Sequence, residues 1–300
     1  MGGDLAPLSS EKQTMKQNPN DVFHVLKRAV AAACATLVWV QPTAAARPAD
    51  IDLAGNSIKT LTLKPTSEPA ESEQGCTPDR QLCIELVAQT KEAPPILKIR
   101  PAAGQDAGAQ LELRDLQTDA LWDNRRSLSL WPYALRLAAT DQGVMVGIRE
   151  DVSTMYSGGG GSFSTLRLLQ IYPKGSGFEM REVLALPLSS SLMIRACFSE
   201  RDYADRRGAC HDEYSFSSNI KLDRSVTSGF PRLIYRTRAT SFPGPVSRSR
   251  DSLGKRLRKK DIATVLDRAC TFQRLLTRQP DSGAYMPDKP IPACEEYLEP

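Results

Sequence analysis

The sequence predicts a mainly β protein of antiparallel sheets (a sandwich, a barrel or a propeller-like stack) with at most one or two short helices. Three observations predict it. Apolar and polar residues alternate with period two in many short runs. Turn residues punctuate those runs at fairly regular intervals. A helical period is nearly absent beyond the first fifty residues. Many short, evenly punctuated strands belong to sandwiches and closed sheets rather than to βαβ units.

The chain starts with a polar extension, residues 1–20, followed by Lys27-Arg28 and the uncharged run from Ala29 to Val40. Pro42 and the small residues Ala44-Ala45-Ala46 come next. A basic stretch, an apolar stretch, a helix breaker and small residues before a cut form a secretory leader. A membrane-spanning helix would need roughly 20 apolar residues to cross about 30 Å of hydrocarbon. This run is shorter, and Pro42 interrupts its continuation. We therefore expect residues 1–46 to be a signal peptide with an N-terminal extension, cut near Ala46. The mature chain would have no transmembrane anchor and would reside in the periplasm or outside the cell.

Removal of the leader takes Cys34 with it and turns seven cysteines into six. Six cysteines in an exported chain imply up to three disulfides, with fifteen connectivities open. Local closure costs the least chain entropy, which favours Cys76–Cys83, Cys197–Cys210 and Cys270–Cys294. No Cys-x-x-Cys spacing supports a zinc site. The 300 residues less the 46 of the leader leave 254, with 35 basic and 32 acidic side chains. That near balance steers toward no particular partner and offers no footprint for nucleic acid.

Residues 47–80 read as a polar linker with a first strand at 57–63, and residues 81–300 as the β-rich, disulfide-stabilised domain. A sub-boundary near 125 would separate a small N-terminal sheet from a larger one. Strands are expected at 82–87, 96–99, 110–113, 133–139, 143–149, 165–172, 178–186, 191–198, 210–222 and 231–241, with a return strand at 284–286. Loops are expected at 64–80, 101–109 and 242–256. One helix is expected from Asp261, with Ile262, Val265, Leu266 and Ala269 on one stripe.

Several stretches are candidates to carry chemistry. In the hairpin from 198 to 213, His211 is the only histidine left after the leader, and Glu213 shares its strand face. That pair suits acid–base work or a metal ligand with its orienting carboxylate. Asp202, Asp205 and Glu213 supply oxygen donors, and calcium is the one cofactor they would suit; otherwise no cofactor is expected. The run from Tyr156 to Ser162, with Gly159, Gly160 and the following Phe163, lacks the Lys-Ser/Thr of a phosphate loop. It reads as a glycine turn, and in its functional version as a binding loop contacted through Tyr156 and Phe163. The basic run of 248–260 has no interleaved aromatics for stacking on bases. Trp122, Trp131 and Tyr133 suit a core better than a carbohydrate platform. Ser-x-x-Lys at 218–221 and 252–255 lacks the companion elements of the penicillin-recognising enzymes.

Together these features point to an exported, non-enzymatic binding or envelope-associated module. Its partner would be an envelope component, a glycan or a protein. The alternative is a metal-assisted hydrolase using His211 and Glu213.

Overall fold

The computed structural model describes residues 50–66, 72–90, 93–101, 109–116, 125–139, 142–175, 177–250 and 256–298. The leader, the cut near Ala46 and Trp122 lie outside these residues. Residues 46–300 form one compact unit.

The architecture is two antiparallel sheets. Two strands, β1 (Asp50–Ile51) and β2 (Ser57–Thr60), begin the large sheet. The chain then builds the small sheet from β3 (Thr62–Thr66), β4 (Ser72–Cys76), β5 (Leu82–Val87), β6 (Ile96–Pro101) and β7 (Ala109–Glu112). It returns through β8 (Arg125–Arg136), β9 (Val144–Tyr156), β10 (Gly159–Lys174) and β11 (Gly177–Arg195). A short helix, α1 (Glu200–Asp205), precedes β12 (His211–Leu222) and β13 (Leu233–Phe242). β14 (Val265–Asp267), β15 (Gln273–Arg278), β16 (Tyr285–Pro287) and α2 (Glu295–Leu298) end the chain. The large sheet runs β1-β2-β8-β9-β10-β11-β12-β13-β15-β16, with β14 on β13, and the small one runs β3 to β7 in order.

Alternation drives the packing. Ile84, Leu86, Leu97 and Ile99 of the small sheet meet Leu130, Val146, Ile148, Leu169 and Ile171 of the large one. Burying each such side chain is worth roughly 1.5–3 kcal/mol relative to leaving it exposed. Glu73 also accepts a hydrogen bond from Leu130 N at 2.6 Å, tying β4 to β8. The large sheet then rolls over itself. Leu135, Met145, Leu166, Leu168 and Leu186 pack with Leu222, Leu233, Tyr235, Leu276 and Tyr285. The roll is fastened where Asn56 Nδ2 donates to Gly229 O at 2.9 Å and Arg224 bonds Asp50. A third cluster seats α2, through Tyr297, on Leu192, Tyr214 and Phe216.

Several expectations change. Residues 64–80 are not a plain loop, because β4 pairs with both β3 and β5. The small sheet is preceded by β1 and β2, which join the large sheet. No α-helix starts at Asp261. Its carboxylate turns back onto Arg258 N at 2.8 Å, closing a 3-10 turn, and Val265–Asp267 adds to β13 as a strand. The 198–213 segment holds the helix α1 instead of a bare hairpin. Ser199 caps it, accepting from Asp202 N, and this Ser-x-x-Asp pattern was the signal for it. The three disulfides join the predicted partners. Trp131 is buried in the core, edge-on to Tyr133 at 4.9 Å between ring centroids.

Candidate functional site

The glycine run is not a turn between distant strands. β9 and β10 continue past residues 149 and 165, and only Ser157 and Gly158 turn the chain. Gly159, Gly160 and Gly161 are ladder residues, paired with β9 on one side and β11 on the other. Gly159 has φ of 155°, and a Cβ there would lie 2.0 Å from Met193 O. Only a residue without a side chain lets β11 come so close.

Register aligns polar side chains in rows across the sheet, since directly opposed residues share a face. Ser153, Ser162, Ser191, Ser215 and Thr240 form one row over β9 to β13. Asp151, Ser164, Ser189 and Ser217 form the next, and Ser164 and Asp151 are hydrogen-bonded within it. On the other side of the first row come Met155, Gly160, Met193 and Glu213. Gly160 leaves a gap between the two methionines, of which Met155 is 86 % exposed. Beyond them Arg195 opposes His211.

Part of this surface forms an open trough of about 900 Å³. Ser153, Met155, the four glycines, Ser162, Ser191, Met193, Arg195 and His211 line it, and no carboxylate does. That volume matches the range of small-ligand sites, roughly 300–1,000 Å³. Arg195 gives its Nε to Cys197 O at 2.9 Å and lies 5.2 Å from the Phe198 ring. Among the described residues no acid forms an ion pair with it. The far end of the trough is therefore cationic, its walls are thioether and its floor is hydroxyl and bare backbone.

Behind the trough a buried ion pair sets the geometry. Arg206 is fully buried, donates from Nε to Ala209 O at 2.9 Å and pairs with the buried Asp212. The Cys197–Cys210 bridge closes the same loop. Together they fix the entry of β12, so that His211 emerges opposite Arg195. Neither Arg206 nor Arg195 stood out in the sequence, where Arg206 looks like one more surface charge.

No family model, curated protein or solved structure matches this chain.

Of the predicted residues, Gly159, Gly160 and His211 come together in the trough. Phe163 shares its row with Val152, Ser190 and Phe216, on the face opposite Ser162 and Ser164. Tyr156 ends β9 beside the turn. Glu213 is exposed on the face of His211, at the edge of the trough. The other acids are engaged elsewhere. The Asp202 carboxyl is held below its usual range by the Phe198 N–H, bonded at 3.0 Å, and by Ser199. Asp205 faces Arg201 and Arg256 at 3.6 and 3.5 Å. Among the described residues no group of three His, Cys, Asp or Glu side chains is placed to hold a metal.

Proposed function

We propose that this chain is an exported, disulfide-stabilised binding module, and that the trough at the glycine-bearing end of β9–β11 is its contact surface. The observation that carries the reading is convergence: the glycine run and His211 were read separately from sequence, and they line one cavity with Arg195. Its lining suits an extended polar ligand that accepts hydrogen bonds from serine hydroxyls and backbone and places negative charge near Arg195. The leader pattern, three disulfides and the lack of a helix long and apolar enough to cross a membrane, among the described residues, fit export. A hydrolase would need a carboxylate within hydrogen-bond reach of His211 inside the cavity, and the lining holds none. Binding is therefore the reading we put forward.

The test is site-directed photo-crosslinking in the native compartment. A photoreactive residue replacing Met155 or Met193 should trap the same ligand, and one replacing Leu53, which is 73 % exposed elsewhere, should not. Arg195→Glu should abolish both adducts. Equal labelling from all three positions would sink the reading.

A further inference from the structure

A second polar cluster sits far along β11 from the trough. Arg181 of β11 pairs with Gln170 of β10, and Arg278 ends β15 opposite Tyr285. Between them passes the turn 279–284, closed by Gln279 N to Ala284 O at 2.8 Å. A Cβ on Gly283 would lie 2.1 Å from Arg181 Nη1 and 2.9 Å from Arg278 Nη2. The two guanidinium nitrogens are thus no more than about 5 Å apart, the sum of those distances. Gly283 has φ of +67°, so both its conformation and the room above it require glycine.

Two like charges this close repel unless an acid lies between them. Among the described residues no acid forms an ion pair with either arginine. Glu179, two residues from Arg181 on the same face, lies within electrostatic reach of it but makes its hydrogen bonds with Tyr172 Oη at 2.5 Å and Lys174 Nζ at 2.8 Å. Glu182 pairs with Arg167 at 3.0 Å, and Asp281 in the turn pairs with neither arginine. Among the described residues the partners of Arg278 are neutral: Gln170 Oε1 at 3.3 Å and the face of Phe230, 3.8 Å below its guanidinium carbon. Its Nε is buried and makes no hydrogen bond. Burial pushes the Arg278 pKa down; the neighbouring Arg181 adds to that shift, and the Tyr285 and Tyr172 hydroxyls oppose it.

We propose that Arg181 and Arg278 form a binding site for a tetrahedral oxyanion, a phosphate or sulfate group. Paired guanidiniums offer forked donors that match such an anion, and the anion would remove the repulsion between them. The site does not depend on the trough reading.

Calorimetric titration of the oxidised protein with inorganic phosphate at low ionic strength tests it. Saturable one-to-one binding is expected, with a higher melting temperature in phosphate. R278Q should weaken binding at least tenfold, and R236Q, at an exposed arginine bonded to Gln273, should not change it. Without phosphate, R181Q should melt no lower than the unaltered protein, because it removes one of two like charges. Vesicles carrying phosphatidylglycerol are run beside the free ion, so that retention by vesicles alone assigns a lipid headgroup. A response to neither probe, equal loss in R236Q, or a lower melting temperature for R181Q would overturn the proposal.

Discussion

The two ends of β9, β10 and β11 are built from the same ladder and do opposite work. At one end, Met145, Val146, Ile148, Leu166, Leu168 and Ile171 are buried on both faces, between the small sheet and the rolled half of the large one. At the other end, the same strands carry serines, glycines and exposed methionines on one face. The first end is held by apolar area. The second is held by a disulfide, a buried ion pair and the α2 packing on its far face. A stretch of strand buried on both faces has no surface left to bind with, so at that end only exposed positions such as Arg181 can take a ligand. A strand covered on one face needs another anchor and leaves its second face free.

The largest expected effect breaks the anchor of the polar end. Arg206→Met removes the buried cation that Asp212 pairs with, and should cost about 3–5 kcal/mol. Urea unfolding measures the loss, and hydrogen exchange should rise first at the β11–β12 end. Leu168→Ala attacks the other anchor. It empties space in a cluster that is almost fully buried and should cost about 2–5 kcal/mol, with exchange rising across the whole sheet. If both variants loosened the same amides, the two ends would not be separately held.

The apolar end was legible in the sequence and the polar end only in part. Runs such as LCIELV in β5 announce themselves, because alternation is a local pattern. The three cysteine pairs were legible because short loops close cheaply. The extension of β9 and β10 through the glycines was not, since glycine lowers strand preference and here is required by the approach of Met193 O. The hydroxyl row was half visible, as Ser162-x-Ser164, Ser189-x-Ser191 and Ser215-x-Ser217, but its alignment depends on register, which no single segment encodes. Arg206 was hidden for a related reason. Its partner Asp212 lies across a disulfide loop, and nothing local marks one arginine of three as buried.

Gly159→Ala tests the close strand approach at the tip of the polar end. Its methyl group would meet backbone, so the ladder must shift, and we expect a loss of about 1–3 kcal/mol. The roll has a smaller, pH-dependent signature. At the β12–β13 turn, the Ser225 N–H, its hydroxyl and Arg232 hold the Asp223 carboxyl below its usual range. A carboxyl lowered on folding contributes stability above its unfolded pKa of about 3.9 and loses it as pH falls through the folded value. Asp223→Asn should therefore flatten the acid limb of the stability curve below about pH 4 and leave pH 7 binding at the trough unchanged.

The smallest expected effect on stability is the sharpest test of the division. Ser162 and Ser191 are exposed, opposed across β10 and β11, and bury nothing between them. Replacing both with alanine should change stability by no more than about 0.5 kcal/mol, as for most surface substitutions. The same change strips two hydroxyls from the trough floor, so photo-crosslinking from Met155 should fall severalfold. A large loss of stability would mean that the serine row carries the sheet. Unchanged crosslinking would mean that the ligand reads the methionines and Arg195 and leaves the hydroxyl floor untouched.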